Sequence, residues 1–151
     1  MNMNAPTTLR PARAGDYEFC ASLYFSGMEE IIRELKLDMA AQAVNLRKSW
    51  HVAEVEIITS DGVDVGWLQK SKRDDALYLE QIYITAAFQG RGIGGEIIRS
   101  LIEEARQAGR PVTLAVVKIN PARRLYERLG FRVAHEDDRK FYMRCDALTV
   151  G

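Results

Sequence analysis

The densest chemistry-bearing run in the chain is Gln89-Gly90-Arg91-Gly92-Ile93-Gly94-Gly95, with four glycines in the six residues from Gly90 to Gly95. A glycine inside a regular element costs about 0.5–1 kcal/mol relative to alanine, so four together imply a use for bare backbone. Two uses fit. In one, ligand atoms come close to main-chain N–H groups, and the free N–H groups at the positive end of the following helix bind a phosphate. In the other, the run is only a tight turn that requires positive φ angles. On the first reading, the natural occupant carries a pyrophosphate.

Gly90, Gly92 and Gly95 also spell G-x-G-x-x-G, the dinucleotide fingerprint. That fingerprint asks for an acidic residue about 20 residues on, at the end of the next strand, to bind a ribose. Lys118 stands there instead. A nucleoside-triphosphate loop needs Gly-Lys-Ser/Thr, but Gly95 is followed by Glu96 and Ile97. Both nucleotide readings weaken, and a nucleotide-binding module stays as the third of three functional readings.

The loop needs elements to hold it. Upstream, Ala76 to Ile84 alternates Leu77, Leu79 and Tyr83 against Tyr78, Glu80 and Ile82, a strand with two occupied faces and a central place in a sheet. Downstream, Ile93, Ile97, Ile98, Leu101, Ile102 and Ala105 repeat at helical spacing until Gly109. Pro111 to Val117 is a nearly continuous apolar strand of the parallel type, expected to pair beside Ala76–Ile84. Asn120 as N-cap, Pro121 at the first helical position and Gly130 past the end bracket a helix that presents Ala122, Leu125, Tyr126 and Leu129 on one face.

Around this centre, Thr7–Pro11 reads as a strand. Gly15-Asp16 then opens a helix with Phe19, Leu23 and Met28 on one face, and the helical pattern from Glu29 to Trp50 breaks at Lys36-Leu37-Asp38. Val52, Val55, Ile57 and Ile58, then Asp61-Gly62, then Val63, Val65, Trp67 and Leu68 predict a hairpin on a primed turn. Asp74-Asp75 marks the next turn, and Phe131–Ala134 with Lys140–Cys145 predicts a closing hairpin. The order βααβββαβαββ is that of an α/β domain with a mixed sheet.

The 151 residues fit a single domain, 1–151, and 47% hydrophobic with 28% charged residues is an ordinary globular composition. Twenty-one Lys and Arg balance twenty-one Asp and Glu, so net charge argues for neither nucleic acid nor an anionic membrane as partner. Cys20 and Cys145 lie far apart and are expected to be free thiols, with no metal cluster. The first dozen residues carry no apolar leader and no stretch approaches about 20 apolar residues, which reads as a cytoplasmic protein without a membrane partner.

With both flanking elements in view, the chain resembles the GNAT superfamily of N-acetyltransferases. Gln89-Gly90-Arg91-Gly92-Ile93-Gly94 matches that family's Gln/Arg-x-x-Gly-x-Gly/Ala acetyl-CoA loop, and Leu125-Tyr126-Glu127-Arg128-Leu129-Gly130-Phe131 matches its Leu-Tyr-Glu-x-Leu-Gly-Phe element. The resemblance follows the element order from about Leu9 to Arg144 and is strongest over Leu79–Phe131. It implies the GNAT fold, a mixed sheet of about six to seven strands flanked by helices, with acetyl-CoA as cosubstrate and an amine as acceptor. One departure is Asn120, which stands six residues before Tyr126 where the family asparagine often stands seven before.

The resemblance also implies roles. Gln89, Gly90, Arg91, Gly92, Ile93, Gly94 and Gly95 would bind the pyrophosphate of CoA, with Asn120 as a further cofactor contact. Main-chain groups near Ile84 would pair with the pantetheine arm, and an N–H near Ile82 would polarise the acetyl carbonyl. An amine with a pKa near 10 must lose a proton and the departing thiolate must gain one. Glu80 fits the base and Tyr126 the acid; their plainer readings are a sheet-face carboxylate and a core tyrosine with a satisfied hydroxyl.

His135 reads as solvated surface and His51 takes no role. Arg123, Arg124 and Arg128 read as a solvated helix face, with Arg124 in reach of the 3′-phosphate as the alternative. Tyr24, Glu29, Glu30, Trp50 and Tyr142 are acceptor-site candidates. The acceptor is a small-molecule or peptide amine, no metal or covalent enzyme intermediate is called for, and a homodimer is common among similar proteins. A module that binds acyl-CoA without catalysis is the alternative.

Overall fold

Local signals set the element boundaries. The computed structural model describes residues 7–147, and its first strand, β1, is Thr7–Pro11. Helix α1 (Tyr17–Glu34) ends where Lys36 turns left-handed at φ +53, with the Leu37 N–H donating to the Ile32 carbonyl at 2.9 Å and the Lys36 N–H to Arg33 at 3.2 Å. That is a Schellman closure built on a lysine. The Asp38 carboxylate then accepts from the Ala40 N–H at 3.0 Å and caps α2 (Met39–Ser49). The expected break at Lys36-Leu37-Asp38 is thus made by two back-to-back caps.

β2 (Val55–Ser60) and β3 (Val63–Arg73) form the expected hairpin, with Asp61 at φ +52 and Gly62 at φ +76 as the signs of a type I′ turn. Val52 does not belong to it. It lies in a short 3-10 turn, exposed, because the antiparallel ladder starts only at Val55 opposite Gln69. A register shift between Ile58 and Thr59 interrupts the period of two, and Ile57 and Ile58 are both fully buried. β4 (Ala76–Ile84) follows a second left-handed pair, Asp74 and Asp75 at φ +50 and +64.

The later elements are α3 (Ile93–Gln107), β5 (Val112–Val117), α4 (Ala122–Arg128), β6 (Arg132–Glu136) and β7 (Lys140–Cys145). The seven strands run β1-β2-β3-β4-β5-β7-β6, a mixed sheet with β4 in the middle. This element order is the expected one, and the sheet has the upper number of strands anticipated.

Two compact units divide the chain. The first comprises residues up to Gln69 together with Gln81–Ile93. Its core is Cys20, Tyr24, Leu46, Val55, Ile57 and Trp67. The residues of α1 in that core are Cys20 and Tyr24, and Phe19, Leu23 and Met28 pack against it partly buried.

The second unit comprises Lys70–Glu80 and residues from Gly94 onward. α3 seats Ile97, Ile98, Leu101 and Ala105 in its interior. β5 pairs in parallel with β4 at only two rungs, Leu77 with Val112 and Tyr78 with Thr113, and along its whole length with β7. The expected pairing beside Ala76–Ile84 is therefore confined to the start of that strand. β6 runs to Glu136, two residues past Ala134, because Asp137 makes the turn: its carboxylate accepts from the N–H groups of Arg139 and Lys140 at 2.8 and 2.7 Å.

Candidate active site

β4 leaves its sheet through a tightly bonded bend. The Thr85 N–H donates to the Val65 carbonyl at 2.8 Å, and a 3-10 turn over Ala86–Phe88 follows. The Gln89 amide reaches back to donate to the Ile84 carbonyl at 2.9 Å. Gln89 thus latches the loop onto the end of β4, and the Ile84 oxygen keeps one lone pair. Gly90 and Gly92 then take φ +77 and +80. A Cβ at Gly90, Gly92 or Gly94 would meet no atom within 4 Å. No neighbouring chain demands glycine at these three positions. Positive φ accounts for Gly90 and Gly92, and the open space suits a ligand lying on the backbone. The Arg91 guanidinium rests 4.6 Å over the Phe88 ring, at the rim of this loop, and Ile93 is buried as the first residue of α3.

In the second unit, the first turn of α3 lies beside α4. A Cβ on Gly95 would stand 3.8 Å from Leu125 Cδ1 and from Arg99 Nη1. α4 is closed at both ends. The Asn120 side-chain oxygen accepts from the N–H of Ala122, the first residue of α4, at 2.9 Å, and Pro121 stands between them as the N-cap at φ −65. At the other end Gly130 takes φ +104, its N–H donates to Glu127 at 3.1 Å, and the Phe131 N–H donates to the Tyr126 carbonyl at 3.0 Å. Gly130 ends the helix as expected, whereas the start lies one residue later than expected, with Pro121 rather than Asn120 as the N-cap and Asn120 capping from one residue further out. Asn120 is occupied by its capping bond, which leaves its amide N–H groups for any ligand.

Tyr126 is half-buried, packed edge-on against Phe131 with ring centroids 5.9 Å apart. Its hydroxyl has no hydrogen-bond partner among the described residues, unlike a core tyrosine with a satisfied hydroxyl. Burial pushes its pKa above the ordinary tyrosine value, so the group stays protonated at neutral pH and can donate.

Glu80 is engaged. Arg73 Nη2 donates to its Oε1 at 3.0 Å while the same guanidinium lies 4.1 Å over the Tyr78 ring. The carboxylate is 19% exposed and the arginine 52%. Arg73 is a residue the sequence reading missed, and nothing in its spacing from Glu80 marks the two as partners.

The acceptor-site candidates separate. Tyr24 is buried core, its hydroxyl donating to Gln42 Oε1 at 3.2 Å. Trp50 packs its ring edge-on with Tyr17 at 5.3 Å. Tyr142 donates to Asp137 Oδ2 at 2.7 Å and carries His135 stacked flat on its ring at 4.5 Å. Glu29 and Glu30 stay exposed on α1. Arg124 and Arg128 are exposed as expected, whereas Arg123 pairs with Glu127 at 3.3 Å and lies 4.4 Å over the Phe141 ring. Cys20 and Cys145 are buried free thiols, and burial pushes Cys20 up to about 11. Among the described residues no helix is long and apolar enough to cross a membrane.

Residues 47–133 match the family described as acetyltransferase (GNAT) domain. An uncharacterised N-acetyltransferase of Methanocaldococcus jannaschii is 31% identical over 70 residues, 45% of this chain and 31% of that protein. The L-methionine sulfoximine/L-methionine sulfone acetyltransferase of Salmonella typhimurium is 39% identical over 54 residues, 34% of this chain and 32% of that protein. The chain spans about a third of the length of these curated relatives. In fold it is similar to the PaiA N-acetyltransferase of Thermoplasma acidophilum, solved with coenzyme A, at a TM-score of 0.67 with 16% identity over 93% of this chain and 99% of that one. Because the family match takes in more than half of the chain, including the glycine loop and the Tyr126 helix, this protein belongs to the GNAT acetyltransferase family.

Proposed function

We propose that this chain is an acetyl-CoA-dependent N-acetyltransferase in which an amine attacks the acetyl carbonyl directly, within a ternary complex. The observation that carries the reading is the loop at Gly90 and Gly92, left-handed, open where side chains would stand, and leading into the first turn of α3 in a chain of this family. Its N–H groups suit the pyrophosphate of CoA, and Arg91 supplies positive charge beside it. Main chain at Ile84 suits the pantetheine arm, and an N–H near Ile82 the acetyl oxygen.

The chemistry asks for two proton transfers. The N–C bond forms and the C–S bond breaks, the amine proton passes to Glu80 directly or through water, and the Tyr126 proton passes to the departing thiolate. Arg73 orients Glu80 through one oxygen, and burial keeps Tyr126 in the donor form. Both exchange protons with solvent between turnovers. The acceptor is a small-molecule or peptide amine.

Thermal melting with acetyl-CoA, CoA and NAD tests the cofactor assignment. A ligand at about 100 times its Kd stabilises by about 2.7 kcal/mol, which is about 5–10 °C at this size. Stabilisation by acetyl-CoA and CoA but not NAD is expected, and thiol release with a panel of amines then separates an enzyme from a module that only binds. No shift at saturating acetyl-CoA would remove the loop assignment.

A further inference from the structure

Among the described residues, two glycines sit in the middle of regular elements: Gly27 in α1 and Gly66 in β3. A glycine there packs nothing and costs chain entropy, so close approach of a neighbour is the remaining reason for it. Both approach the same residue. A Cβ on Gly27 would stand 2.8 Å from Tyr83 Cδ1. A Cβ on Gly66 would overlap the Tyr83 carbonyl oxygen and stand 3.0 Å from Ile84 Cδ1. The Tyr83 ring also packs at 5.7 Å from Tyr24 and 5.6 Å from Trp67, and the Thr85 N–H is held by Val65, next to Gly66.

We propose that Gly66, aided by Gly27, is a positioning residue. The missing side chains seat the Tyr83–Ile84 backbone of β4 in the place where the pantetheine arm of CoA docks, an inference that rests on the CoA reading above. Gly66 acts on main chain, which cannot swing aside, whereas Gly27 acts on a ring edge that can shift only against Tyr24 and Trp67. Any side chain at residue 66 therefore shifts the strand, and a misplacement of about 1 Å is enough to cost on the order of 100-fold in a preorganised site.

The test is calorimetric titration of wild type, Gly66→Ala and Gly27→Ala with CoA and with adenosine 3′-phosphate 5′-diphosphate, which is CoA without its pantetheine arm. Gly66→Ala is expected to raise the CoA Kd tenfold or more and to leave the diphosphate within twofold. A purely structural lesion moves both ligands together, and that outcome overturns the proposal, as does an unchanged CoA Kd. If Gly66→Ala fails to fold by circular dichroism, Gly27→Ala decides by the same comparison, with a threefold or greater loss for CoA alone expected and anything less overturning the proposal. Wild type binding CoA no more tightly than the diphosphate also overturns it. Wild type binding neither ligand sinks the CoA reading itself, and the proposal with it.

Discussion

Phe131 holds Tyr126 in two ways: its N–H closes the end of α4 on the Tyr126 carbonyl at 3.0 Å, and its ring packs edge-on against the Tyr126 ring at 5.9 Å. This pairs the hydrogen bond of a Schellman turn with its usual apolar contact. Phe131 is 2% exposed and anchors the assembly in the core. The aromatic face of Tyr126 is therefore fixed from behind, and its hydroxyl is left without a partner among the described residues.

Replacing Tyr126 by phenylalanine removes only that hydroxyl. Turnover is expected to fall about tenfold or more, the scale of general acid catalysis, while acetyl-CoA affinity and melting temperature stay near wild type. Thiol release and titration calorimetry on the same preparation check it. Unaltered turnover takes Tyr126 out of the mechanism.

The anchor behind it can be loosened by degrees. Gly130→Ala forces a side chain into φ +104, where the nearest atom, Cys145 Sγ, leaves room at 3.6 Å. The cost is then conformational, about 1–3 kcal/mol. Phe131→Ala empties a core position and should cost about 3–5 kcal/mol. Urea unfolding should rank the two in that order, and equal losses would contradict the packing role given to Phe131.

Glu80→Gln keeps the shape of the side chain and the bond from Arg73 but cannot accept a proton. The rising alkaline limb of the pH–rate profile is expected to shift or flatten. Arg73→Met frees the carboxylate and is expected to change stability by less than about 1 kcal/mol, as for other exposed pairs. A Glu80→Gln profile superimposable on wild type would leave the base elsewhere.

Acid should act on the last hairpin through Asp137. The Tyr142 hydroxyl, then the N–H groups of Arg139 and Lys140, hold its carboxyl down to about 2. The folded state thus takes up this proton less readily than the unfolded chain. The stabilisation is present above about pH 4 and is lost as pH falls through about 2. Asp137→Asn should be less stable than wild type at neutral pH, with the gap closing over that window. A gap independent of pH would show that the loss does not come from the ionised carboxylate.

Much of the fold was legible because its signals are local. Asp61-Gly62, Asp74-Asp75, Asn120-Pro121 and Gly130 each act within a few residues, through positive φ or a capping oxygen, and each marks the turn or helix end expected of it. On α1 the fully buried residues of the core are Cys20 and Tyr24, with Phe19, Leu23 and Met28 partly buried beside them, a division that depends on which residues the neighbouring elements cover.

Charge partners and close approaches were illegible. Nothing in the spacing says that Arg73 bridges the Tyr78 ring and Glu80, that Gln89 turns back onto Ile84, or that Tyr24 and Tyr142 are tied to Gln42 and Asp137. The sequence by itself determined the element order, the glycine loop and the family, since those depend on residue type at short range. Only the tertiary structure decided which polar groups stay free and which are engaged, and that Gly27 and Gly66 face one tyrosine, because such contacts join residues far apart in the chain.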